Sequence, residues 1–157
     1  MPTSSDKMIT IVTGLPRSGT SLMMKILDQG GLVTVQDNIR QADIDNPNGY
    51  YEYERVKKIK EDATWLPDTQ GKAFKMVSML LFHLPADYSY KLIFMRRDIH
   101  EMLASQNKML RRLQKPGPPV SDDEIAMLFT KHLQTFEAWV PQQKNIEIVY
   151  VLSLIHI

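Results

Sequence analysis

The chain has 157 residues, enough for one domain with a sizeable core, and 43% of them are hydrophobic. Its formal net charge of +1 argues against nucleic-acid binding, which needs a basic stripe, and no apolar run reaches the ~20 residues of a membrane span. Because cysteine is absent, disulfides and thiolate metal sites are excluded. We expect a cytoplasmic protein with no membrane span and no bound metal.

The N-terminal quarter predicts a strand followed directly by a helix. Residues 1–7 are short and polar, and we expect a flexible tail there. The β-branched run from residue 9 to 13 predicts the first strand. A helix is predicted from about Ser18 to Gln29, where Gly30 and Gly31 end it.

The middle of the chain combines a long polar connection with two further strands. Residues 35–50 form that connection, and long connections in compact domains are often functional. Residues 51–62 fit a helix with a charged face. A second strand is predicted over 72–77, and the nearly continuous apolar run 91–95 predicts a central strand covered on both faces.

Two capping boxes predict the last two helices. Asp98 with Glu101 begins a helix that runs to about Leu113, and Ser121 with Glu124 begins the next one. Pro141 ends the second of these helices. Its apolar positions, which we expect to be buried, are Ile125, Leu128, Phe129, Leu133 and Phe136.

A final strand is predicted over 146–151, so that strands and helices alternate along the chain. This alternation predicts an α/β fold, a P-loop-type parallel sheet with helices on both faces, in a domain spanning residues 8–151. Residues 152–157 are what CTGTCTCTTATACACATC encodes, a string that resembles the transposon mosaic-end adaptor of sequencing libraries. We therefore hypothesise that 152–157 is a cloning or sequencing scar and that the natural protein continues past Val151.

The segment 14–22, GLPRSGTSL, joins the first strand to the first helix and predicts an anion site. Its backbone N–H groups and the positive end of the helix dipole favour a phosphate. Arg17 adds a cation, and hydroxyl donors come from Ser18, Thr20 and Ser21. An ordinary turn that binds no ligand is the alternative.

The spacing of this segment differs from a nucleotide-kinase loop in one position. Gly14 and Gly19 have the separation of the pattern G-x-x-x-x-G-K-[ST], but Thr20 occupies the place of the lysine. The loop can hold a phosphate, yet it lacks the lysine expected for ATP.

A second strand end also carries charge, because Arg96, Arg97 and Asp98 lead from residues 91–95 into a helix. Parallel strands bind ligands beyond their carboxyl ends, so both sites are expected at one edge. Their ligand would carry two separated anionic groups, as a nucleotide phosphorylated at two positions does. Alternation along the strand sends Arg96 away from Arg97, which predicts a solvated or structurally paired Arg96.

At this point the chain resembles the sulfotransferases that use 3'-phosphoadenosine 5'-phosphosulfate (PAPS). The run PRSGTS at 16–21 is similar to that family's 5'-phosphosulfate loop. Arg97, with Ser105 eight residues later, resembles its 3'-phosphate motif, although Ile99 stands where the family usually has proline. The run NPNGYYE at 46–52 is similar to one in many bacterial members. The resemblance extends to Val151 and predicts a chain truncated at its C-terminus.

The resemblance implies transfer of a sulfuryl group from PAPS to an acceptor hydroxyl or amine, leaving adenosine 3',5'-bisphosphate. It implies that Arg17 also stabilises the transition state. The acceptor stays open among small molecules, carbohydrates, lipids and peptides, and so does the oligomeric state. The rivals are an ATP–Mg²⁺ phosphotransferase and a non-catalytic nucleotide-binding fragment. The cofactor-binding residues implied are Pro16, Arg17, Ser18, Gly19, Thr20, Ser21, Arg97 and Ser105.

The general base has two candidates. Glu52 follows the glycine turn of the long connection and lies in the family-like run, although it equally fits the start of a charged helix. His83 is the second candidate, because histidine is the base in the cytosolic branch of the family; its apolar neighbours also suit a structural histidine. Lys75, inside the second predicted strand, either places its ammonium near the sulfuryl group or is exposed.

Overall fold

Four strands form one parallel sheet in the order β2-β1-β3-β4, in a computed structural model that describes residues 7–37, 42–44 and 49–153. The strands are β1 (Ile9–Gly14), β2 (Ala73–Val77), β3 (Tyr90–Arg96) and β4 (Ile146–Leu152). The α-helices are α1 (Thr20–Gln29), α2 (Ile99–Arg112) and α3 (Asp122–Trp139). Short 3-10 helices span Glu54–Lys58, Leu66–Thr69, Ser78–His83 and Val140–Gln142. The predicted α/β class is confirmed.

The register brings the carboxyl ends of β2, β1 and β3 together. β1 lies between β2 and β3, and Gly14 is level with Val77 on one side and Met95 on the other. Because all pairs are parallel, these three residues mark one edge of the sheet, the edge at which such sheets bind ligands.

Alternating side chains give the sheet two apolar faces. On one face Ile11 and Phe94 pack with Phe136 of α3 in the larger buried cluster. On the other face Val12 and Met95 pack with Met24 of α1. Helices therefore cover both faces of the sheet, as the sequence predicts.

The predicted caps of α2 and α3 are present. The Asp98 carboxylate accepts a hydrogen bond from the Glu101 N–H at 3.0 Å. The Ser121 hydroxyl accepts one from the Glu124 N–H at 3.2 Å. Each cap satisfies one of the backbone donors that have no partner within the helix.

Two predictions about helices are wrong. Residues 51–62 contain only the 3-10 helix Glu54–Lys58 instead of a helix over the whole segment. Tyr51 itself is excluded from a regular helix by its φ of 53°. At the other end of this segment the Asp62 carboxylate accepts a hydrogen bond from the Thr64 N–H, two residues further along the chain, at 2.9 Å, which favours a turn. Leu128, predicted to be buried, is 61% exposed on the outer side of α3.

The C-terminal strand extends one residue past the predicted domain boundary. β4 includes Leu152, and the Ser153 N–H donates to the Arg96 carbonyl at 2.6 Å. The tail at 1–6 and residues 154–157 lie outside the described part of the chain, so the suspected scar stays a hypothesis. Among the described residues, helices of the length and apolar character needed to cross a bilayer are absent.

Candidate functional site

The β1–α1 loop, residues 15–19, is wound tightly against the edge of the sheet. It begins after Gly14, where an added Cβ would lie 2.5 Å from the Ser18 Oγ and 2.7 Å from the Met95 carbonyl oxygen. Arg17 has a φ of 61° and Gly19 a φ of 99°, both in the left-handed region. The loop therefore turns back on itself before α1 begins, as the glycine spacing predicts.

The N-terminus of α1 differs from those of α2 and α3. Its N-cap residue, Gly19, provides no side-chain hydrogen bond, and its first turn contains no acidic residue. The first backbone hydrogen bond back to the cap runs from the Met23 N–H to the Gly19 carbonyl at 3.2 Å. Because the cap residue has no side chain and the first turn has no carboxylate, the positive end of α1 suits an external anion.

Arg97 joins the end of β3 to this loop. Its Nη1 donates to the Arg17 carbonyl oxygen at 2.9 Å, and its side chain is only 7% exposed. Its Nε lies 3.6 Å from Glu101 and is buried without a hydrogen-bond partner among the described residues. The two predicted anion motifs thus meet at one edge, and a buried guanidinium there favours a nearby negative charge.

The Arg17 side chain in turn contacts the predicted 3'-phosphate motif, at Ser105. Its Nε donates to the Ser105 Oγ on α2 at 3.0 Å. Ser105 accepts this bond, so its own O–H can still donate to an anion.

The other predicted loop residues take different positions. Pro16 is half-buried, and Thr20 is the first residue of α1. Ser18 is fully buried, and its Oγ has no hydrogen-bond partner among the described residues. The Ser18 hydroxyl is therefore a donor in need of an acceptor, which fits the predicted role.

Ser21 has a role that the sequence does not predict. Its hydroxyl donates to the Tyr50 carbonyl at 3.2 Å and accepts from the Lys75 Nζ at 3.0 Å. A serine hydroxyl has one proton, so in this arrangement it is directed to Tyr50 rather than to an anion. Lys75 belongs to the site and is not the exposed strand lysine that the sequence also allows.

Tyr50 connects this cluster to α2. The residue is 3% exposed, and its hydroxyl donates to the Asp43 carboxylate at 2.8 Å. Arg112 of α2 forms an ion pair with the same carboxylate at 2.8 Å. These contacts span 7 and 69 residues of sequence, so spacing gives no sign of them. The one signal for Tyr50 is the family-like run at 46–52, of which 46–48 lie outside the described residues.

The two candidate bases differ in position. Glu52 follows two residues after Tyr50, its side chain is 17% exposed, and it accepts from the Lys57 Nζ at 3.3 Å. His83 is exposed at the end of its 3-10 helix, beyond the sheet edge at Val77. Its exposure is inconsistent with a structural histidine buried among apolar neighbours. Glu52 lies close in sequence to Tyr50, whose carbonyl accepts the Ser21 O–H in the first turn of α1.

Arg96 has the structural role predicted for it. Its guanidinium forms an ion pair with Glu137 of α3 and lies 4.4 Å from the centre of the Tyr150 ring. Alternation along β3 therefore separates it from Arg97.

Away from the loop, His132 of α3 contacts a buried serine. The sequence indicates no partner for this histidine. The Ser78 Oγ lies 2.8 Å from the His132 Nε2, and Ser78 is fully buried. The Phe82 ring and the imidazole pack nearly perpendicular to each other, with their centroids 5.8 Å apart. Burial lowers the pKa of His132 below its usual value.

No protein-family model matches this chain, and the curated proteins contain no significant match to it. Among the described residues, no group of three or more His, Asp or Glu side chains is arranged to hold a metal ion. The site is therefore defined by its own geometry: an uncapped helix N-terminus with Arg17, Lys75 and Arg97 around it.

Proposed function

We propose that this chain is a sulfotransferase domain of the P-loop type, which transfers a sulfuryl group from PAPS to an acceptor hydroxyl or amine. One observation carries the proposal: Arg97 donates to the carbonyl of Arg17 at 2.9 Å. This contact brings together two motifs that bind the two phosphate-bearing ends of one nucleotide in the family that the sequence resembles.

The residues at this edge suit a ligand with two anionic groups. The Ser18 hydroxyl and the Arg97 Nε are buried polar groups that lack a hydrogen-bond partner among the described residues. Such groups are destabilising unless a partner satisfies them. A phosphate at the loop and a second one beside Arg97 would provide acceptors for both.

On the 5' side, the chain's contribution is electrostatic. PAPS supplies the sulfuryl group, and adenosine 3',5'-bisphosphate is left after transfer. The loop N–H groups and the Arg17 guanidinium would stabilise the negative charge that develops on the leaving phosphate. Lys75 adds a second cation at the N-terminus of α1, 3.0 Å from the Ser21 Oγ.

On the 3' side, Arg97 and Ser105 would recognise the second phosphate. Guanidinium groups bind phosphate through parallel N–H bonds, and the serine O–H adds a donor from α2. Arg17 already bonds to Ser105 at 3.0 Å, so the two halves of the site share this residue.

The acceptor must lose a proton, and Glu52 is the base that we propose. It is a partly buried carboxylate near Tyr50, and the Lys57 ammonium holds it at 3.3 Å. The acceptor itself stays open among small molecules, carbohydrates, lipids and peptides, because nothing in the loop or the two strand ends selects one class.

The test compares ligands in thermal unfolding of the full chain. A ligand that binds only the folded state raises the melting temperature, so adenosine 3',5'-bisphosphate should raise it more than 5'-AMP does. A shift with ATP–Mg²⁺ alone would instead support a phosphotransferase. A cooperative transition that no nucleotide shifts would contradict the proposal and leave a non-catalytic module.

A further inference from the structure

We infer that Tyr50 is a positioning residue: it holds the Lys75 ammonium at the N-terminus of α1 and is itself fixed by the Asp43–Arg112 pair. The inference rests on the proposed function, since it assigns Lys75 and Tyr50 to the half of the site that binds the 5'-phosphate group.

The position of Lys75 requires an explanation. Lys75 is level with Val12 in the sheet, and its ammonium extends over the face on which α1 packs, to within 3.0 Å of the Ser21 Oγ. An ammonium at the positive end of a helix dipole is unfavourable unless an anion or other groups stabilise it there. The surrounding groups must therefore hold the side chain in this place before a ligand arrives.

Tyr50 provides two such interactions. Its carbonyl oxygen accepts the Ser21 O–H at 3.2 Å, which leaves the oxygen lone pairs of Ser21 for the ammonium. Its ring centre lies 5.9 Å from the Lys75 Nζ, within the range of a cation–π interaction. The backbone and the ring of one residue thus act on the same ammonium.

Tyr50 in turn is held from the side of α2. Its hydroxyl lies 2.8 Å from both carboxylate oxygens of Asp43. The Arg112 Nη2 lies 2.8 Å from the Asp43 Oδ2. Arg112 belongs to the last turn of α2, the helix that carries Ser105. The ring of Tyr50 therefore joins the helix of the 3' side to the lysine of the 5' side.

Loss of Tyr50 should affect recognition of the 5'-phosphate and of the 3'-phosphate differently. If Tyr50 acts through Lys75, its loss should weaken binding of a 5'-phosphate and leave binding of a 3'-phosphate largely unchanged. A merely structural tyrosine would weaken both ligands alike, because general loosening of the site does not distinguish the two phosphates.

The experiment is a double-mutant cycle on Tyr50→Leu and Lys75→Gln, with affinities from isothermal titration calorimetry. The probes are adenosine 3',5'-bisphosphate, 5'-AMP and adenosine 3'-phosphate. Each single variant should lose about tenfold or more in affinity for the two ligands that carry a 5'-phosphate, the loss expected for a contact to a charged group. The double variant should lose no more than the larger single loss, because both changes remove the same interaction.

A matched control is Tyr51→Leu, which removes the neighbouring ring whose hydroxyl contacts Asp28. It should leave the affinities for all three probes near those of the unaltered chain. If Tyr50→Leu does not fold, the same cycle is run with Tyr50→Phe, which keeps the ring and removes the hydroxyl that contacts Asp43 and the Met109 Sδ. Additive losses with Lys75→Gln, or equal losses for the 5'- and 3'-phosphates, then overturn the inference in the same way.

Failure of the inference and failure of the proposed function give different results. If the unaltered chain binds the bisphosphate but the losses in the cycle are additive, the role of Tyr50 is refuted and the proposed function stands. If the unaltered chain binds none of the three probes, the proposed function is refuted and the inference with it. Equal losses for the 5'- and 3'-phosphates also overturn the inference.

Discussion

The guanidinium of Arg97 donates an N–H to the carbonyl oxygen of Arg17 at 2.9 Å, across 80 residues of sequence. This bond ties the end of β3 to the β1–α1 loop, so that each proposed phosphate contact depends on the placement of the other. Arg97 is nearly buried, which makes its guanidinium a specific contact rather than one of many surface cations.

Replacing Arg97 by alanine should weaken binding of adenosine 3',5'-bisphosphate by about 1.5–3 kcal/mol, the range for hydrogen bonds to charged groups. Binding of 5'-AMP should fall much less, because 5'-AMP has no 3'-phosphate. Calorimetric titration with both nucleotides measures the difference. The matched control is Arg96→Ala, whose guanidinium pairs with Glu137 instead. Equal losses for the two nucleotides would mean that Arg97 supports only the loop.

Arg17 allows the backbone and the side chain to be tested separately. Its φ of 61° lies in the left-handed region, where a non-glycine residue is strained by about 1–2 kcal/mol. Arg17→Gly removes the guanidinium and this strain, whereas Arg17→Ala removes the guanidinium alone. Both variants should reduce the rate of acceptor sulfonation about 10²–10³-fold, the effect of losing one donor to the transition state. Near-normal sulfonation by either variant would refute the catalytic role of Arg17.

The tightness of the loop predicts a large effect at Gly14. An added Cβ would lie 2.7 Å from the backbone oxygen of Met95, which cannot move without shifting β3. Gly31 is the matched control, because it also has a positive φ but has open space around it. By chemical denaturation, Gly14→Ala should lose at least about 2 kcal/mol more stability than Gly31→Ala, as expected for overpacking. Similar losses in the two variants would mean that the loop can shift to accept a methyl group.

Local signals were sufficient for much of the fold. The apolar run of β3, the cap of α2 at Asp98 and the cap of α3 at Ser121 depend on neighbouring residues, and the structure has all three. The segment 51–62 shows the limit of such signals, because its charged pattern fits a helix whereas the structure has only the short 3-10 helix Glu54–Lys58 there. Leu128 shows another limit, since helical spacing does not tell which apolar residues a neighbouring element will cover.

Only part of the candidate site is predictable from the sequence, because some of its contacts join residues that lie far apart in the chain. The sequence indicates Arg17 and Arg97 because each follows a strand, and parallel strands end at one edge. The contacts around Tyr50 join residues that lie far apart in the chain, such as Asp43 and Arg112, and no sequence period connects them. Their packing depends on how α2 lies beside the long connection, which only the tertiary structure specifies.

The contact between buried Ser78 and half-buried His132 predicts a loss of stability on acidification. Burial lowers the pKa of His132 from its usual 6.5, so in the window below 6.5 the unfolded chain binds more protons than the folded chain. The free energy of unfolding should therefore fall as the pH drops through about 6.5, and it should be unaffected by this group well above that value.

Denaturant titrations at pH 7.5 and pH 5.5, on the unaltered chain and on His132→Gln, measure this effect. Glutamine can still bond to Ser78 but does not titrate, so the variant should lose less stability between the two pH values than the unaltered chain. His100→Gln is the control for the substitution itself, because His100 is an exposed histidine on α2, away from Ser78. If His132→Gln and the unaltered chain lose the same stability on acidification, another group is responsible for the acid sensitivity.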